Sequence, residues 1–366
     1  MKRKNVRLVC LISSVWLLLS ITCLLKKPSE LSDTERRKLA QFPSLTTESV
    51  LEGAFAQGFE DYVTDQFPMR NRFRTLKAYW QYYGFRQKDN NGIYIHNGYA
   101  GKLEYPINET SIVNACDKFN ALYELYMKNK NCNIFASVVP DKGFFMAKDG
   151  GYPSLDYQLL FNMVKSGLPF AKYISIEDSL ELSDYYKTDT HWRQEEIVEA
   201  TKKLAHAMGI KEKIHWNFSK IETNKPFYGV YYGQSALPLQ SDSLSYLTSP
   251  VIEAAEVYHE DTKETTAVYD RKKLDSKDPY EIYLFGAVPL LTIENPLAET
   301  RRELVVFRDS FGSSITPLLI EAYSKITLVD IRYINSNLIG EYVEFDDTDV
   351  LFLYSTLVLN NSAVLK

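Results

Sequence analysis

A mostly parallel α/β sheet flanked by helices is the fold this sequence predicts, on three observations. Short apolar runs of strand length recur: Asn133–Val139, Tyr173–Ile176, Leu304–Phe307, Ile326–Ile331 and Val350–Tyr354. Runs of helical period stand between them, and helical crossovers are what parallel pairing requires. The chain has 366 residues, 45% hydrophobic and 24% charged, which is enough for one large α/β domain with embellishments, or for two domains.

The N-terminus is the clearest element. Lys2, Arg3, Lys4 and Arg7 precede a run, Leu8 to Leu25, that holds no charged residue, and Lys26 and Lys27 follow it. Eighteen residues of helix span about 27 Å, close to the roughly 30 Å of a hydrocarbon core. The bias of positive charge places the N-terminus in the cytoplasm and the body outside. A cleaved signal peptide is the main alternative, although no small-x-small site follows Leu25. Ser20-Ile21-Thr22-Cys23 leaves a lipoprotein cleavage box as a third.

Residues 28–47 are polar and carry Pro28 and Pro43, which reads as a stalk. From Glu48 to Phe85 the pattern is helical and aromatic, with Phe55, Phe59 and Tyr62 on one face and Phe73, Leu76, Tyr79 and Trp80 on another. Asn90-Asn91-Gly92 marks a turn, and Ile93-Tyr94-Ile95 before Asn97-Gly98 a short hairpin. Ser111 is placed to cap a helix carrying Ala115, Phe119, Leu122 and Tyr126. Further helices are expected over Asp156–Lys165, over Trp192–Met208 with Ile197, Leu204 and Met208 inward, and over Ser314–Tyr323. Residues 215–300 break the rhythm and read as an inserted region. The organisation is therefore a tip and transmembrane anchor at 1–27, a stalk at 28–47, and a body at 48–366 with an N-terminal helical arm and the insertion.

Formal net charge is -5, and nothing in the composition suggests a nucleic-acid binder, which would normally show a concentrated basic face. The 26 Tyr fit either a surface that meets sugars or a Tyr-rich core. Of the four Cys, only Cys116 and Cys132 belong to the body; they read as two free buried thiols, with pairing as the alternative. No second cluster of His, Asp and Glu at ligand spacing accompanies Asp189 and His191, so neither a metal nor another cofactor is expected.

Two segments concentrate reactive residue types: Lys187-Thr188-Asp189-Thr190-His191-Trp192 and Phe307-Arg308-Asp309-Ser310-Phe311-Gly312. Ser310 falls between the end of a strand and the start of a helix, where open α/β sheets place their sites. Free N–H groups at such a helix start stabilise an oxyanion. A nucleophilic serine needs a base, and imidazole is the natural one near neutrality. Among His96, His191, His206, His215 and His259, only His191 has an Asp two residues before it at a helix start. A carboxylate there orients the ring and supports the imidazolium. The alternative is structural: Asp189 with Thr190, and Ser310, as caps of the helices that follow.

At these residues the chain resembles the DHHW family, itself similar to the AlgX and AlgJ type of alginate O-acetyltransferase, which are SGNH-hydrolase-like. The family's Asp-x-His-Trp is seen as Asp189-Thr190-His191-Trp192, and its Arg-Asp-Ser-Phe element as Arg308-Asp309-Ser310-Phe311. Pro140-Asp141-Lys142, Asp65-Gln66-Phe67-Pro68-Met69-Arg70 and Gly92-Ile93-Tyr94 match further family patterns, and the resemblance runs over roughly residues 36–355. Thr190 stands where the family name pattern has His, and the serine element lacks the Gly of Gly-Asp-Ser.

The resemblance implies an SGNH-hydrolase-like, flavodoxin-like sheet and a catalytic Ser310, His191 and Asp189. It implies O-acyl transfer, with acetyl the expected group, onto a cell-envelope or secreted polysaccharide. A membrane-bound O-acyltransferase would supply the acyl group. Lys142 and Arg332 are read as positive, substrate-binding groups near the rim of the cleft, with a structural role for each as the alternative. An esterase using the same triad, and a non-catalytic protein of envelope-polymer assembly, are the rival readings.

Overall fold

The computed structural model describes residues 2–32 and 34–366. Met1 of the expected cytoplasmic tip and Asp33 of the expected stalk lie outside the described residues. The chain divides into two units, Met1–Asn91 with Tyr232–Pro238, and Gly92–Tyr231 with Leu239–Lys366.

The first unit begins with helix α1 (Lys2–Leu25). Among the described residues it is the one helix long and apolar enough to cross a bilayer, and none of its span Asn5–Cys23 is buried. Helices α2 (Ala54–Gln66) and α3 (Arg70–Tyr79) follow, and α3 runs on as one π-helical turn over Trp80–Gly84. Leu31–Ser32 pairs antiparallel with Arg37–Lys38, and the Arg37 guanidinium donates to both carboxylate oxygens of Asp65 at 2.8 and 2.6 Å. Polar residues there are tied to the end of α2 rather than solvated alone.

The second unit opens with the hairpin β1 (Ile93–His96) and β2 (Tyr99–Lys102), turning at Asn97-Gly98 as expected. Helix α4 (Glu109–Leu122) is capped by Asn108, not Ser111: the Asn108 side chain accepts from the Ser111 N–H at 3.0 Å. Then come β3 (Cys132–Val139), α5 (Tyr157–Gly167), the short β4 (Lys172–Tyr173) and α6 (Val198–Ala207). The 215–300 region supplies β5 (Ser219–Phe227), β6 (Asp242–Thr248), β7 (Glu256–His259), β8 (Thr265–Ala267) and β9 (Leu290–Glu294). The chain closes with β10 (Glu303–Arg308), α7 (Ser310–Ile315), β11 (Lys325–Val329) and β12 (Thr348–Ser355).

Eight strands form the central sheet in the order β8-β7-β9-β11-β10-β12-β3-β4. The five from β11 to β4 are parallel; β9, β7 and β8 extend the edge antiparallel. The sheet is thus mostly parallel and flanked by helices, as its apolar runs predict. Alternate residues of one strand serve two cores: Leu304 and Val306 of β10 pack in one, Val305 and Phe307 in the other. This is why the parallel strands read as unbroken apolar runs.

Two expected boundaries move. The strand expected over Tyr173–Ile176 keeps only Lys172–Tyr173. The helix expected from Trp192 starts at Val198, because Trp192 is held in a β-bridge to Tyr185 and its indole N–H donates to Ser314 Oγ at 2.7 Å. Asp189 and Thr190 therefore do not cap it. Cys116 is buried and Cys132 half-buried, and both are free thiols.

Candidate active site

The segment from Tyr185 to Trp192 closes on itself through that bridge, and the Tyr186 N–H donates to the His191 carbonyl at 3.1 Å. Asp189 and His191 sit on this tight loop. Its backbone is clamped from both polarities. Asp242, at the start of β6, accepts the N–H of Lys187 and of Thr188, each at 2.8 Å, and the Thr188 hydroxyl at 2.5 Å. The Lys142 ammonium donates to the carbonyls of Tyr186 and Lys187 at 2.8 and 3.1 Å.

Ser310 follows β10 directly, at the first residue of α7. Asp309 is the cap: one carboxylate oxygen accepts the Phe311 N–H at 3.0 Å, the other the Ser355 N–H at the end of β12 at 2.7 Å. One side chain thereby locks the serine turn to the neighbouring parallel strand. Below it, Arg308 is fully buried, donating to Ser313 Oγ at 2.9 Å and the Gly286 carbonyl at 3.1 Å. Gly312 is required there, since a Cβ would press on the Arg308 stem.

Folding brings the two segments together. His191 Nε2 lies 2.7 Å from Ser310 Oγ, and His191 Nδ1 lies 2.6 Å from Asp189 Oδ2. A carboxylate only accepts, so Nδ1 carries the proton and Nε2 is left to accept from the serine hydroxyl. Asp189 Oδ1 takes the Val230 N–H at 2.7 Å, which fixes the carboxylate. Asp189 and His191 are buried, whereas Ser310 is half-buried. The arrangement is a chain of charge-supported hydrogen bonds ending on one accessible hydroxyl, which is what acyl transfer through a serine uses.

Two groups that the sequence reading missed hold the imidazole and the loop that carries it. Tyr280 stacks on the His191 ring with centroids 3.9 Å apart and planes 7° from parallel. Its hydroxyl donates to Ser314 Oγ at 2.8 Å. Gly229 lies so close to Asp189 that a Cβ would overlap the Asp189 backbone, and its N–H donates to Thr188 Oγ1 at 2.9 Å. Both come from the region read as an insertion, and only Gly229, a glycine between Tyr228 and Val230, carried a local hint.

The two rim cations are placed differently from the expectation. Lys142 is buried under the Asp189 loop rather than exposed to substrate. Burial pushes its ammonium down to about 7, against the pull of the Asp189, Asp242 and Asp141 carboxylates. Arg332 is half-buried and spends its guanidinium on Asp330, through bonds of 2.9 and 2.7 Å. Neither offers a free cation to a ligand.

A pH prediction follows for Lys142. Its folded value is about 7 and the ordinary lysine value is 10.5. Between these the unfolded chain holds the extra proton, so stability rises with pH across that window, and the penalty is complete below it. Urea melts of Lys142→Met should lack this rise, so wild type should gain on the variant between pH 7 and 10. Parallel stability profiles would contradict the assignment.

No protein-family profile and no curated relative matches the chain. Solved structures do. A DHHW family protein from Eubacterium siraeum is 19% identical, with 74% of this chain and 93% of that one covered and a TM-score of 0.60. PatB1 of Bacillus cereus is 19% identical over 73% of this chain and 96% of its own, with a TM-score of 0.57. The same protein with a sulfonyl adduct gives 18% identity, 73% and 95% coverage, and a TM-score of 0.57. At these identities the likeness is one of fold, and the chain shares the fold of these proteins over about three quarters of its length.

Proposed function

We propose that this protein is a serine-dependent O-acyltransferase, acting outside the cytoplasmic membrane on a cell-envelope or secreted polysaccharide. The observation that carries the proposal is the hydrogen-bonded series Ser310, His191, Asp189, with a single accessible hydroxyl at its end. A sulfonyl adduct has been obtained on PatB1, which has the same fold, and sulfonyl reagents are trapped by activated nucleophiles. The apolar N-terminal helix supports a single-pass anchor with the body outside, and the sequence organisation of anchor, residues 28–47 and body at 48–366 accords with that.

In the proposed reaction Ser310 Oγ attacks the acyl carbonyl of a donor as its proton passes to His191 Nε2. The tetrahedral intermediate collapses, the leaving group takes that proton, and an acyl-serine remains. A sugar hydroxyl then attacks the ester and gives its proton to His191. The second tetrahedral intermediate expels Ser310 Oγ, which takes that proton back from His191 Nε2, leaving the acylated sugar and a free Ser310 hydroxyl. Asp189 holds the ring so that Nε2 faces the serine in both halves. The Ser310 amide, first in α7, has no intrahelical acceptor to go to and lies beside the developing oxyanion. The acyl donor would be a membrane-bound O-acyltransferase carrying the group across the bilayer; acetyl is the group that the resemblance implies.

The test is turnover of an activated acetyl ester with and without an oligosaccharide acceptor. Acetylated oligosaccharide, absent for Ser310→Ala, is the expected product. Free acetate unchanged by acceptor would make the protein an esterase, and no turnover of either kind would leave it an assembly protein.

A further inference from the structure

Helix α3 and the turn that continues it leave an apolar face without a partner. Met69, Phe73, Leu76, Trp80 and Tyr83 fall at intervals of four, three, four and three residues, which sets them on one side of a helix. Their exposures are 54, 43, 53, 56 and 54% in that order, so the whole stripe is in the open rather than in a core. Trp80 is seated by Gly84, where a Cβ would press on the indole ring. Phe85, just beyond, is more exposed still. A continuous patch of this kind is rare on a soluble surface.

Two further observations say what covers it. From Gln66 to Lys88 there are six basic residues and no acidic one. Glu35 takes Arg70, and takes Arg74 at 3.1 Å, while Arg72, Lys77 and Arg86 stand exposed. The end of α2, three residues before Met69, is also fixed at the end of the anchor. The Gln66 side-chain amide exchanges two hydrogen bonds with the Ser29 backbone, at 2.9 and 2.8 Å, and the Lys26 ammonium donates to the Gln66 carbonyl at 3.3 Å. Helix α1 ends at Leu25, so the stripe begins within a few residues of the point where the chain leaves that helix. A cavity of about 790 Å³ opens beside Phe73, lined also by Arg70, Arg74 and Lys77.

We propose that the Met69–Phe85 face lies on the bilayer surface beside the anchor, its aromatic side chains at headgroup depth and its basic residues against anionic lipid. Amphipathic basic helices with Trp and Phe on one face bind in this way, and Trp and Tyr favour that depth. The proposal rests on the reading of α1 as a membrane anchor. Its consequence is a second tie between the N-terminal unit and the membrane, beyond the anchor itself.

The full-length chain in lipid nanodiscs tests it by quenching of tryptophan emission with brominated acyl chains. In Trp16→Phe, the emission that disappears on further Trp80→Phe substitution reports Trp80; Trp192 and Trp216 remain as the common background. Bromines near the headgroup should remove most of the Trp80 component, and more of it in discs containing phosphatidylglycerol than in phosphatidylcholine alone. In Trp80→Phe, bromines at mid-chain should quench Trp16, which tests the anchor by itself. Trp16 quenched with Trp80 unaffected would overturn the proposal and assign the stripe to a protein partner. Trp16 unquenched would overturn the anchor and the docking together. Equal quenching of Trp80 in both lipids would overturn the role given to the basic residues.

Discussion

Ser310→Ala should abolish turnover while leaving the fold unchanged. The hydroxyl is half-buried, contacts His191 Nε2, and carries no core packing, so its loss removes the nucleophile and little else. The rate should fall on the order of 10⁴-fold or more, toward what binding and the remaining donors sustain. His191→Ala should cost a similar factor, and the double variant no more than either alone, because the residues act as one unit. Asp189→Ala should be milder, since it orients rather than reacts. Initial rates with an activated ester, beside thermal melts, check all four. Losses that multiply in the double variant would mean that Ser310 and His191 serve separate steps.

Gly229→Ala should be nearly as damaging by a different route. The added Cβ would meet the backbone of Asp189, which cannot swing aside like the end of a flexible side chain. The loop carrying Asp189 and His191 is held by Asp242 on its N–H side and Lys142 on its carbonyl side, so displacement at Gly229 passes to the imidazole. A loss of roughly 2–4 kcal/mol of stability is expected from forced overlap in a packed site. Activity should fall even at temperatures where the variant stays folded, a combination that separates it from Ser310→Ala. Denaturant melts with rates on the same samples measure both; wild-type activity with reduced stability would show that the loop tolerates the shift.

What was legible in the sequence divides along the reach of the interactions. Strands β3, β10, β11 and β12 were visible because burial on both faces leaves an unbroken apolar run. Strands β7, β8 and β9 were not: they are three to five residues long, β8 pairs only with the adjacent β7, and β7 and β9 join the sheet through partners farther along the chain. Trp192 misled because it falls at helical spacing from later apolar residues, whereas its indole is committed to Ser314, 122 residues away. The Ser310, His191 and Asp189 group was legible because each member announces itself by local chemistry: a serine at a strand-helix junction, and a histidine two residues from an aspartate. Tyr280 was not, since nothing in its neighbourhood says which ring it will cover. Lys142 was found as a residue and misplaced as a group. Its motif gave the position, but only the fold shows that the ammonium turns inward to two carbonyls.

The most direct test of the central claim is mapping of the covalent intermediate. The full-length protein is treated with an activated acetyl ester, quenched in acid, digested, and read by mass spectrometry. One acetyl group on the peptide containing Ser310 is predicted, absent in Ser310→Ala, strongly reduced in His191→Ala, and discharged when an oligosaccharide acceptor is added before quenching. Acetylation that persists in Ser310→Ala, or that does not depend on His191, would contradict the assignment of Ser310 as the nucleophile.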